Sequence, residues 1–175
     1  MMLSNTLRTA VIASSLLAAG TLFGATDGDQ GSTSTGTTTV SVTKTSEVKI
    51  SGLEDIALAV QADGSATGTT SACIYRNGTG SYSLTANGDG AASSFSLSDG
   101  GSNVMPYTVT FDDGSGAAAL TKNTALTGLS NADTLSTTCN GTTNATIAIT
   151  VATADFSSAP AGDYTGTLTL IIAPE

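Results

Sequence analysis

Beyond residue 25, apolar positions recur at every second residue and not at helical spacing. Thr38, Val40 and Val42 share one face of a strand predicted over residues 37–44. Val48 and Ile50 continue in a second strand that stops at Gly52, and Ile56, Leu58 and Val60 alternate again. Residues 63–68 read as a loop. Cys73 and Tyr75 lead into Asn77-Gly78-Thr79-Gly80, a strong hairpin signal, and Tyr82, Leu84 and Ala86 form the returning strand. Phe95 with Leu97, then Tyr107, Val109 and Phe111, mark further strands, each closed by an Asp-Gly turn. Two short strands are expected between residues 118 and 139. The clearest alternations are Ala145-Ile147-Ile149-Val151 and Tyr164-Gly166-Leu168-Leu170-Ile172. No 3.6-residue period occurs after residue 25, so the body reads as an all-β sandwich or barrel.

The first 25 residues follow another rule. Arg8 precedes the apolar run 10–19, and small residues follow. This is the layout of a secretory signal, with cleavage after Ala25 or nearer Gly20. The apolar run is shorter than a membrane-spanning helix needs. Residues 26–36 contain no large apolar side chain and read as a flexible leader. The division is therefore 1–25 signal, 26–45 leader with its first strand, and 46–175 a single β domain. An exported chain places Cys73 and Cys139 in an oxidising compartment, where a disulfide is the default and free or intermolecular thiols the alternative.

Composition narrows the function. The 175 residues include 32 Thr and 22 Ser, but no His and no Trp. Five basic residues against fourteen acidic ones offer no footprint for nucleic acid. Without His there is no Ser-His-Asp triad and no His-ligated metal. Asp112-Asp113-Gly114 and Asn87-Gly88-Asp89-Gly90 resemble pieces of calcium loops but lack the spaced carboxylates and terminal Glu. Asp and Asn suit turns because they bond their own backbone. Lys44, Lys49, Arg76 and Lys122 are too scattered for an anion site, and Glu54-Asp55 reads as a solvated turn. Three Asn-x-Thr triplets, at Asn77, Asn140 and Asn144, are expected by chance in so Thr-rich a chain. These residues suggest no enzyme, cofactor or metal site.

The informative feature is a pair of ends. An alternating segment sits on a flexible leader, and the sequence stops on an apolar strand, Leu168 to Ile172. A sandwich ending there is expected to lack its last strand and to leave a groove and a sheet edge open. Residues 162–172, Gly-Asp-Tyr-Thr-Gly-Thr-Leu-Thr-Leu-Ile-Ile, resemble the terminal strand of archaic (Csu-type) chaperone–usher pilins and spore-coat-U-like domains, with their Gly-x-Tyr-x-x-x-Leu-x-Leu pattern. The order of signal, Val-alternating strand and body with one Cys pair also fits, although Cys73 comes later than in many such pilins.

The resemblance implies an incomplete Ig-like β-sandwich, complemented by a donor strand. It implies a structural subunit of a surface pilus or fimbria, with a role in adhesion or biofilm formation. A periplasmic chaperone would first fill the groove at Tyr164, Leu168, Leu170 and Ile172. At an outer-membrane usher, Thr38, Val40 and Val42 of another copy or a related pilin would replace it, with Lys44 as the polar end. The product would lie on the cell surface or outside the cell. Three alternatives stand beside this reading: residues 37–44 complete their own sheet, or the chain is a secreted carbohydrate- or ligand-binding module, or it is a spore or surface coat protein. Only four Tyr and three Phe beyond residue 25 make aromatic sugar platforms scarce.

Overall fold

A computed structural model describes residues 24–175. The signal reading of residues 1–25 falls, but for its last two residues, outside the described part. The chain divides into two compact units, Met1–Lys44 and Thr45–Glu175. In the first, Thr26 and Thr37 exchange main-chain hydrogen bonds of 2.9 Å, and their hydroxyls also hydrogen bond. They close a loop that carries Asp27 and Asp29. The strand expected over residues 37–44 is not formed. Residues 38–47 have no ladder partner, and Val40 and Val42 are 90% and 94% exposed. Alternation supplies a strand's side chains, but a strand also needs an edge to bond to.

The second unit is all-β. β1 (Val48–Ser51) and β2 (Ala59–Val60) both run antiparallel to the eleven-residue β3 (Ala66–Arg76), at opposite ends of it. On its other edge β3 pairs with β10 (Ala145–Val151), β10 with β7 (Thr108–Asp112), and β7 with β8 (Ala118–Ala119). A second sheet orders β11 (Leu168–Pro174), β4 (Tyr82–Gly88) and β9 (Ala125–Leu129). β5 (Ser96–Ser98) and β6 (Val104–Pro106) form a small hairpin. The core lies between the two main sheets. Ile74, Val109, Phe111, Ile147 and Val151 pack from one and Tyr82, Leu84 and Ala86 from the other, none more than 1% exposed. This is a β-sandwich, one of the two architectures that period-2 patterning predicts.

Several local expectations are corrected. Residues 66–68 belong to β3, leaving a shorter loop before it; Asp63 nucleates that loop by accepting from Ser65 N (3.0 Å). The segment between β1 and β2 crosses so close to Gly68 that a Cβ there would lie 2.7 Å from Ile56 Cγ2. Asn77-Gly78 is not a hairpin turn, because β3 and β4 lie in different sheets. Its role is a corner: Asn77 Nδ2 donates to Thr45 O (2.7 Å), and Asn77 Oδ1 accepts from Glu47 N (2.7 Å). In β3 the side chains of Ala72, Ile74 and Arg76 are buried, and Cys73 on the opposite face is buried as well. The loop carrying Cys139 covers that face, and a disulfide joins the two cysteines with Cα atoms 5.7 Å apart. One short helix, α1 (Thr153–Ser158), was not expected; six residues are too few to show a helical period. Phe156 anchors it to the core.

Candidate functional site: an open edge of the sandwich

β11 and β4 pair in register, Leu168 with Gly88, Leu170 with Ala86 and Ile172 with Leu84. Opposite residues share a face, so Leu168, Leu170 and Ile172 point toward the same core as Leu84 and Ala86. Their burial differs sharply. Leu84 and Ala86 are 0% exposed, while Leu168, Leu170 and Ile172 are only half-buried, and the outward Ile171 is 51% exposed. The cause is topological. β4 has a strand on each side, whereas among the described residues β11 pairs on one side only. β1 is likewise the edge of its sheet; it approaches β11, and its Val48 and Ile50 are half-buried. β1 and β11 are therefore two edge strands that approach each other on one side of the sandwich, and among the described residues no strand pairs with the free edge of either.

Of the residues expected to line a groove, three stand together on β11. Tyr164 is apart, in the turn four residues ahead of the strand, where its hydroxyl donates to Pro160 O (3.0 Å). The opposite wall, Val48 and Ile50, was legible as a strand but not as part of the site. Thr38, Val40 and Val42, the residues expected to act as a donor, are all exposed in the first unit.

Arg76 is the other unforeseen feature. It is 5% exposed at the end of β3, opposite Val48. Its guanidinium donates to Thr79 O and, over 3.1 Å, to the main-chain oxygen of Glu175, while Nε has no partner. It thus ties the corner after β3 to the end of β11. Period 2 carried through Ala72 and Ile74 places this residue on the core face, so the signal was present.

The carboxylates work as turn formers. Asp63 is held below its ordinary pKa by the Ser65 hydroxyl and amide, Asp99 by the Asn103 side chain and the Gly101 amide, and Asp133 by the Ser136 and Leu135 amides. Asp113 is 3% exposed. Burial pushes its pKa up, but bonds from Ser115, Asn131 N and Tyr82 Oη outweigh this and hold it down. Burial, and then the charge of Asp113, drive the Tyr82 hydroxyl well above the usual phenol range. Among the described residues no three His, Cys, Asp or Glu converge on a point where a metal could sit, and no helix is long and apolar enough to cross a membrane.

These shifts fix a pH dependence. Carboxylates with lowered pKa contribute stability that is present above about pH 4, their unfolded range, and lost as pH falls through the folded values. A Tyr with raised pKa contributes stability that is complete below about pH 10 and lost as pH rises beyond it. With no His to titrate between, the melting temperature is expected to be flat from about pH 5 to 9 and to fall at both extremes. Thermal melts across that range test this, and a step between pH 6 and 7 contradicts it.

No protein-family model matches the chain, and no curated relative does. Among solved structures, a chain of the chaperone–tip adhesin complex of CFA/I fimbriae biogenesis superposes with a TM-score of 0.52 at 18% identity, covering 74% of this chain and 41% of its own. CfaE, the adhesive subunit of the CFA/I fimbria of enterotoxigenic Escherichia coli, gives 0.47 at 15% identity over 67% of this chain and 38% of its own. The chain spans less than half the length of either neighbour. The first likeness shows the fold: the chain is an all-β protein with an Ig-like sandwich fold.

Proposed function

We propose that the chain is a structural subunit of a surface pilus or fimbria that polymerises by donor-strand complementation, serving adhesion or biofilm formation. The observation that carries this reading is the half-burial of Leu168, Leu170 and Ile172 on an edge with no outer partner, beside Leu84 and Ala86 at 0% exposure. An extended segment bonding to that edge would bury them. Thr38, Val40 and Val42 repeat at the same period and lie exposed on a segment without a ladder partner. Eight residues at about 3.3 Å each span roughly 26 Å, enough to run along the seven residues of β11. The subunit belongs, in this reading, with the archaic chaperone–usher pilins. A periplasmic chaperone lends a strand first, an usher exchanges it for a second copy's donor, and the fibre stands on the cell surface.

Deleting residues 26–45 tests this. The shortened chain is expected to stay folded with only a small fall in melting temperature, since the body's strands begin at Val48 and the body loses only the bond from Asn77 Nδ2 to Thr45 O, and to lose fibres in negative-stain electron microscopy. Fibres formed by the shortened chain would overturn the donor assignment.

A further inference from the structure

The charges at the ends of the open edge differ, and so do those of the segment proposed to fill it. Near the start of β11, Asp89 accepts Thr167 N on Oδ2 (2.8 Å), and Asp163 lies just upstream. Where a Gly166 Cβ would stand, Ser96 O lies 2.8 Å away, Leu97 Cδ2 3.2 Å and Asp89 Oδ1 3.3 Å, so Asp89 sits close to the edge beside a wall made by Ser96 and Leu97. At the other end of β11, Arg76 and Lys49 stand with Glu47 and Glu175, two charges of each sign. The donor segment is asymmetric too: Asp27 and Asp29 lie in the closed loop before it, and Lys44 ends it.

We infer that Lys44 of one copy pairs with Asp89 of the next, and that this ion pair fixes the direction and register of the donor; the inference rests on the proposed donor-strand function. Running antiparallel to β11, the donor sets Thr38 opposite Ile172, Val40 opposite Leu170 and Val42 opposite Leu168. All three then face the core, because opposite residues of an antiparallel pair share a face. The same register sets Lys44 opposite Gly166. Cβ positions in such pairs are about 5 Å apart, and the four-carbon Lys stem is long enough to carry its ammonium past Gly166, around Ser96 O and Leu97, to Asp89 on the exposed side. A one-residue slip turns the valines outward. A two-residue slip keeps them inward but moves Lys44 away from Asp89. Reversing the donor brings Asp27 and Asp29 against Asp89 and Asp163, where like charges repel.

The experiment compares assembly of the full mature chain with that of Lys44→Glu, Asp89→Lys and the double reversal, at low salt and in 0.5 M NaCl. Each single reversal is expected to slow fibre growth about fivefold, the scale of one exposed ion pair. The double reversal is expected to recover part of this loss, the remainder being the bond from Thr167 N that Asp89→Lys removes in both variants. High salt should erase the differences, because screening at that strength shortens the reach of exposed charges. Wild-type growth by the single reversals, or no recovery in the double, overturns the ion pair while leaving the donor strand standing. If the unaltered chain forms no fibres, or fibres that survive deletion of residues 26–45, the donor-strand reading and this inference fall together.

Discussion

Replacing Cys73 and Cys139 together by Ser is expected to destabilise the body by about 4 kcal/mol, the chain-entropy value for a loop of 66 residues. Both sulfurs are buried, at 3% and 6% residue exposure, and the bridge fastens the 130–141 loop over the outer face of β3. Two main-chain bonds hold that loop besides, Arg76 N to Asp133 O (2.9 Å) and Asp133 N to Ile74 O (2.8 Å). Asn144 adds a third tie, its Nδ2 donating to Ile74 O (2.9 Å) and to Asn131 O (3.0 Å). The loop should therefore stay docked in the variant, with the loss read in the global transition. For a domain of this size, about 4 kcal/mol corresponds to a fall in melting temperature of roughly 10–15 °C. Urea unfolding of the two forms measures it. A change below about 1 kcal/mol would mean that the hydrogen bonds alone constrain the loop, and that the entropic account fails here.

What the sequence made legible follows from how each feature is encoded. Strands with a buried face wrote themselves as alternation: Tyr107, Val109 and Phe111, or Ala145 to Val151, sit where period 2 puts them. Strand pairing is not encoded locally. Asn77-Gly78 carries a hairpin signal, yet the strands around it lie in separate sheets, because Asn77 bonds back to Thr45 and Glu47 and β3 is already paired on both edges. α1 was invisible because fewer than two turns cannot display a period. The open edge was half legible. Leu168, Leu170 and Ile172 announced a buried face, but only the topology reveals that nothing among the described residues covers their outer side. In the sequence Arg76 reads only as one of four basic residues too scattered for an anion site. Its burial depends on the Glu175 main chain, ninety-nine residues away. The 37–44 segment is the opposite case: its alternation is real, but among the described residues no edge pairs with it, so it forms no strand.

Changing Val40 and Val42 together to Asp is expected to abolish assembly while leaving the subunit folded. At 90% and 94% exposure, both side chains already face water, and a carboxylate there costs the isolated chain nothing measurable. In the filled groove Val40 and Val42 would stand opposite Leu170 and Leu168, while Arg76, whose Nε has no partner, lies beyond them at the Glu175 end of β11. An unpaired buried carboxylate costs several kcal/mol, so two should lower the rate or extent of assembly about a thousandfold or more. Val40→Ala with Val42→Ala separates charge from size. Losing about two methylenes from each, at about 0.8 kcal/mol per methylene, should weaken assembly strongly but measurably. The order of effects is therefore Asp pair, then Ala pair, then reversal of Lys44, with one melting temperature throughout. That ranking distinguishes a segment that enters an apolar groove from one that only tethers the subunits, since a tether is indifferent to which face its valines occupy and tolerates all three changes alike.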